Sequence, residues 1–152
     1  GDEPCTIIET KEYRIDAVAL DHGNIKSIAY AFQEHDTIKV DKSTMKRLGI
    51  QGGPWIRAMK EAISKDIVLD DMRVKERSFS ELKELFFIQR GQRVVYASDF
   101  DISVANQEKL IALAKNADDF FGEAAYLNED KSLAIANNHQ TVGSIATIAQ
   151  KA

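Results

Sequence analysis

The segment Tyr13–Leu20, YRIDAVAL, limits the fold more than any other stretch of the chain. Its first residues alternate apolar and polar, and its end is continuously apolar. That pattern predicts a β-strand that lies on a core and finishes inside it. Asp21-His22-Gly23-Asn24 interrupts the strand as a turn, and Ser27–Phe32, SIAYAF, resumes it. So short a link predicts an antiparallel pair. Thr6-Ile7-Ile8 and Arg93–Ala97 read as further strands.

Helical signals occupy other regions. Asp41–Leu48 reads as a helix with Asp41 or Ser43 as cap and Gly49 as stop. Gln51-Gly52-Gly53-Pro54-Trp55 is a sharp break. Beyond it Trp55, Met59 and Ile63 recur every four residues on one helical face. Ser78 and Glu81 have capping-box spacing. The region from about 36 to 80 therefore reads as an insertion of short elements between strands. Val104–Asn116 is an amphipathic helix with Leu110, Leu113 and Ala114 on its apolar side. Phe120-Phe121 starts a short apolar segment. Lys131–Asn137 and Val142–Ala152 read as helices separated by the turn Asn138–Thr141. This alternation predicts a layered α/β domain spanning 1–152.

Composition narrows the function. A chain of 152 residues with 44% hydrophobic and 29% charged residues suits one globular domain. Its apolar runs are too short to cross a bilayer, and no basic-then-apolar leader opens it. Gly1, without a preceding Met, reads as a tag remnant or a cut end. Cys5 is the only cysteine, so no internal disulfide is available and a reducing, cytoplasmic setting is expected. The net charge is −4, which argues against a uniformly basic nucleic-acid binder. The charge is nevertheless uneven. Lys39, Lys42, Lys46, Arg47, Arg57 and Lys60 stand against one acid, Asp41, a local charge of about +5. That window is either a solvated helix face or a phosphate-contacting patch.

Three chemically capable side chains follow apolar strand segments: His22 after AVALD, Asp99 after VVYAS and Glu123 after DDFFG. Strand tips are where layered α/β proteins assemble their sites. Histidine and a bridging aspartate are metal-ligand chemistry. Equally, Asp99 can cap a helix, His22 can sit in a turn and Glu123 can pair with a lysine. His139, in NNHQT just before a helix, can meet a phosphate, or Asn138 or Thr141 can simply cap that helix. Asp101 reads as a cap or a solvated acid.

Taken in order, these segments resemble the C-terminal part of a metallo-β-lactamase-fold hydrolase of the ribonuclease Z type, the transfer-RNA 3′-processing endonucleases. Asp21-His22-Gly23 with Ile28–Glu34 resembles the family's histidine followed by a "GYR-x-x-E" strand. Leu48–Trp55 resembles the "LGIPPGPL" stretch of its substrate-binding arm. Val94–Phe100 resembles the strand ending in "GDT" or "SDT". Glu123–Leu127, His139-Gln140-Thr141 and Ile145–Ala149 resemble "HEATF" followed by "HST-x-x-x-A".

The resemblance implies half of an αββα sandwich, with 36–80 as the arm. It implies His22 as a metal ligand and Asp99 as the carboxylate bridging two Zn²⁺. His139 and Thr141 would contact the substrate phosphate, and Glu123 would orient His139. Lys39, Lys42, Lys46, Arg47, Gly53, Pro54, Arg57 and Lys60 would belong to the arm that grips precursor transfer RNA. In that setting two zinc ions would activate water for phosphodiester hydrolysis.

The departures carry expectations of their own. The leading motif H-x-H-x-D-H is absent, and so is a last histidine ligand. Gly122 stands where the family commonly has His, and Gln140 where it has Ser. Two ligands are too few for a catalytic zinc, so the chain alone is expected to be inactive. It would be completed by a missing N-terminal half, or it would associate as a homo-oligomer such as a dimer. The alternatives are a non-catalytic or partner-requiring module of the same fold, or a hydrolase of cyclic nucleotides or small esters.

Overall fold

The computed structural model describes residues 3–152; Gly1, with its reading as a remnant or cut end, lies outside them. In chain order the elements are β1 (Cys5–Glu9), β2 (Tyr13–His22), β3 (Ile25–Glu34), β4 (Thr37–Val40), α1 (Lys42–Arg47), α2 (Trp55–Ser64), β5 (Arg73–Val74), β6 (Arg77–Ser78), α3 (Phe79–Lys83), β7 (Phe86–Gln89), β8 (Arg93–Ala97), α4 (Val104–Ala114), β9 (Asp119–Gly122), α5 (Lys131–Ala136) and α6 (Val142–Lys151). They form two compact units. One comprises the chain up to His35 together with Gly91–Ala152; the other is Asp36–Arg90.

The first unit is a five-stranded mixed sheet in the order β1-β2-β3-β8-β9. The β2–β3 pair is antiparallel, as its short link requires. Strand β2 continues through Asp21 and His22, and the turn narrows to Gly23-Asn24. Gly23 makes this possible by adopting φ 62°, a conformation that costs side chains with a Cβ. Strand β9 pairs with β8 in parallel, and α4 makes the crossover between them.

The two faces of this sheet differ. One carries Val18, Leu20, Ala29, Ala31, Val95 and Ala97, which pack with Leu110, Leu113 and Ala114 of α4 and Ile148 of α6. Small alanines on β3 let the helices approach closely. Asn106, Leu110, Leu113 and Ala114 follow the i, i+4, i+7, i+8 rule for one helical face. A buried ion pair lies on this face too: Arg93 donates to Asp16 at 3.3 Å and to the Leu113 carbonyl at 2.7 Å. Among the described residues the opposite face is apolar and in large part exposed. Tyr30, Tyr96 and Phe121 sit in one cross-strand row and are 40%, 57% and 58% exposed. Ile28 on the same strand face is also exposed. Covering one such ring completely would contribute about 2 kcal/mol.

The second unit has its own core of Met45, Ile50, Met59, Ala62, Phe79, Leu82 and Leu85. Strands β4 and β7 pair antiparallel beside it. Helix α2 buries Met59, with Trp55 and Ile63 packed against the same cluster. Ser78 and Glu81 form the capping box that starts α3. Asp41 caps α1, its carboxylate accepting from the Ser43 and Thr44 backbone amides and from both hydroxyls.

Those four donors favour the charged carboxylate and hold the Asp41 pKa well below the usual range. A depressed folded-state pKa gives stability that is present above the unfolded value and is lost as pH falls through the folded one. Hydrogen-exchange protection of the Ser43 and Thr44 amides should therefore persist below the ordinary carboxylate range and disappear only at still lower pH. Loss of that protection at an ordinary aspartate pKa would contradict this cap.

Candidate active site

Four loops of the first unit meet at one end of its sheet. His22 is the last residue of β2, Asp99 lies two residues past β8, Glu123 directly follows β9, and His139 lies between α5 and α6. Phe100, fully buried in the core, anchors the loop that presents Asp99. Helix α4 does not take Asp99 as its cap; Ser103 fills that role, and the Asp101 carboxylate accepts from the Ser103 amide at 3.0 Å. Asp101 is thus part of the helix start. Asp99 is left exposed, with 58% of its side chain open to solvent.

Asp99, Glu123 and His139 converge, with one ligand atom from each lying within 4.8 Å of the others. His139 Nδ1 is 2.8 Å from Glu123 Oε2 and 3.8 Å from Asp99 Oδ1. The other Glu123 oxygen accepts from the Phe100 amide at 3.2 Å. The Glu123 side chain is 14% exposed and, among the described residues, pairs with the His139 imidazole rather than with a lysine. A carboxylate accepts, so His139 Nδ1 donates, and Nε2 is the nitrogen left for chemistry.

His22 adjoins this group through a ring contact, its centroid 5.1 Å from that of His139. Its Nδ1 faces the Asn138 carbonyl at 2.9 Å. A carbonyl can only accept, which fixes the proton on Nδ1 and leaves the Nε2 lone pair available to a cation. Gly23 serves this junction as well: a Cβ there would meet Asn138 Nδ2 at 2.8 Å. Asp99, Glu123 and His139 can each offer one ligand atom to a cation, and the His22 ring that touches His139 keeps its Nε2 lone pair free. Carboxylate and imidazole donors of this kind fit zinc.

Thr141 is the cap of α6, buried, with its hydroxyl accepting from the Ser144 amide at 3.2 Å. It also borders a cavity of about 610 Å³ lined in part by Asn128, Lys131 and Ser144. Gly122 is closely surrounded; a Cβ would sit 3.1 Å from Phe120 Cζ and 3.2 Å from Ile145 Cδ1. A histidine there would need both side chains to shift.

Two buried amides escape a reading of the sequence. Asn106 Oδ1 accepts from the Asp21 amide at 2.9 Å, and its Nδ2 donates to the Asp21 carbonyl and to Asp101 Oδ1. Gln140 Nε2 donates to the Phe100 carbonyl at 3.1 Å. A polar residue inside the stripe of Leu110, Leu113 and Ala114 is the one signal that marks Asn106 beforehand.

The basic window belongs to the second unit. Lys39, Lys42, Lys46, Arg47 and Arg57 are exposed, as are Gly53 and Pro54, while Lys60 is half-buried. Lys42 and Lys46 flank a cavity of about 480 Å³ floored by Val40, Met45, Ile50 and Ile56.

A mixed sheet covered by helices on one face, with a His/Asp/Glu group at its strand ends, is the architecture of half a metallo-β-lactamase sandwich. The chain is ribonuclease Z-like over nearly all of its length. It is 30% identical over 146 residues to ribonuclease Z of Deinococcus radiodurans, covering 96% of this chain and 43% of that protein. It is 29% identical over 152 residues to that of Bacillus velezensis, covering 99% and 46%. For Pyrococcus abyssi the figures are 27% over 146 residues, 95% and 43%. The chain thus spans less than half the length of these relatives, consistent with their C-terminal portion. No protein-family model matches it. Among the described residues no helix is long and apolar enough to cross a membrane.

The imidazole protons can be checked directly. Long-range ¹H–¹⁵N spectra of the neutral protein should show Nδ1–H tautomers for both His22 and His139. Glu123→Ala should release only His139. An Nε2–H tautomer at His22 would contradict the assigned geometry.

Proposed function

We propose that the chain is part of a zinc-dependent phosphodiesterase of the ribonuclease Z type, acting in 3′ processing of precursor transfer RNA, and that alone it hydrolyses nothing. One observation supports this most: Asp99, Glu123 and His139 converge at the strand ends of a chain similar to ribonuclease Z over 96% of its length. His22, through Nε2, and Asp99 would supply part of the ligand set for two zinc ions. When bound, such ions make hydroxide available near neutral pH and polarise phosphoryl oxygens.

The chain's own residues do the rest. Glu123 holds His139 so that Nε2 points away from the carboxylate and can donate, when protonated, to a phosphate or departing oxygen. Thr141, at the N-terminus of α6, would add a contact to the same phosphate. Lys39, Lys42, Lys46, Arg47, Arg57 and the half-buried Lys60, with the Gly53-Pro54 turn, would form the arm that holds the RNA backbone. Such contacts give affinity rather than base specificity.

The bare sheet face supports a partner-requiring reading. Tyr30, Tyr96 and Phe121 need a cover, and the relatives are more than twice as long as this chain. The remainder of the hydrolase, carrying the missing ligands, is the occupant this suggests; a second copy of the chain is the alternative. The free, exposed Cys5 accords with a reducing cytoplasm.

Two measurements test the proposal. Joined to an N-terminal half that carries H-x-H-x-D-H, the chain should cleave precursor transfer RNA, and Asp99→Asn should abolish cleavage; an unaffected Asp99→Asn complex would sink the assignment. For the arm, Lys42→Glu, Lys46→Glu and Arg47→Glu together should weaken transfer-RNA binding by this chain. They should also flatten the slope of log affinity against log salt by about 2. Unchanged affinity and slope would remove the arm from the account.

A further inference from the structure

The loop that carries Asp99 is held at successive peptide groups. The Phe100 amide donates to Glu123 Oε1 at 3.2 Å. The Phe100 carbonyl accepts from Gln140 Nε2 at 3.1 Å. The amide of the same peptide plane, that of Asp101, donates to the Asp21 carbonyl at 2.8 Å. Peptide groups are rigid planes, so bonding both edges of one plane and the amide of the plane before it fixes the backbone on either side of Phe100. The Phe100 ring is itself fully buried.

Gln140 is fully buried as well, and its other end accepts from Ser144 Oγ at 2.7 Å on α6. It directly follows His139, while Glu123 binds both His139 and Phe100. His139 and the Asp99 loop are therefore clipped together by two side chains, one on each neighbouring peptide.

We infer that Gln140 is a positioning residue that sets the Asp99 carboxylate relative to His139 by gripping the Phe100 carbonyl. This rests on reading Asp99 as a metal ligand and goes beyond it. Gln140 occupies the position where the resembled family has serine, and a serine hydroxyl is too short to make this reach across the loop. The chain's departure from that pattern thus supplies the clip.

The test uses the chain itself. Gln140→Met keeps the side-chain length and removes the donor. It should leave the far-ultraviolet spectrum unchanged and speed exchange of the Asp101 amide about tenfold, the loss of one such bond. The Val95 and Leu110 amides should exchange as before. Mn²⁺ serves as the cation probe: in the parent chain it should broaden Asp99 and His139 signals together, and in Gln140→Met the two should no longer respond in a constant ratio. Gln140→Ser is the second variant and should behave the same way.

Unchanged Asp101 exchange with an unchanged broadening ratio would overturn the inference. Equal acceleration at Val95, Leu110 and Asp101 would overturn it too, by showing general loosening of the core. Mn²⁺ that broadens neither Asp99 nor His139 in the parent chain would instead defeat the metal-ligand reading, leaving Asp101 exchange to judge the clip.

Discussion

Burial of Phe100 is the constraint on which the site depends. The ring is fully buried in the core cluster that also holds Leu110, Leu113, Ile148 and the sheet residues Val95 and Ala97, so the loop after β8 cannot move without opening the core. That loop carries Asp99 outward into solvent on a backbone whose hydrogen bonds are taken by Glu123, Gln140 and Asp21. A flexible carboxylate would lose orientational freedom on meeting a cation; one mounted on a fixed backbone has given up most of it during folding. Apolar packing under the sheet and polar geometry at its edge are thus a single device.

The sheet's second face gives the complementary lesson. The helix-covered side is finished: small residues on β3, a continuous stripe on α4 and a paired Arg93–Asp16. The other side displays aromatic rings in a row, an exposed apolar patch. At the sheet's edge, Asp99, Glu123 and His139 gather with the His22 ring beside them, each imidazole keeping its Nε2 free.

Local pattern made much of this legible. Alternation in Tyr13–Leu20 and Ser27–Phe32 announced the antiparallel pair, and Ser78 with Glu81 announced the capping box. Strands β4 and β7 were invisible because each has four residues and pairs with a partner almost fifty positions away. Asp119–Gly122 read only as an apolar fragment, since four residues carry no period. The continuation of β2 through His22 was hidden by polar residues that resemble a turn. His22, Asp99, Glu123 and His139 were nameable from strand ends and motif order. Asn106 and Gln140 were not, because a buried amide and a solvated one look alike until the backbone groups they bind are known.

Zinc stoichiometry by native mass spectrometry tests the central claim most directly, on the chain alone and on its complex with an H-x-H-x-D-H-bearing half. The account requires no tightly bound zinc on the isolated chain and two ions on the complex. Stoichiometric tight zinc on the chain alone, or a complex that forms and binds none, would contradict it.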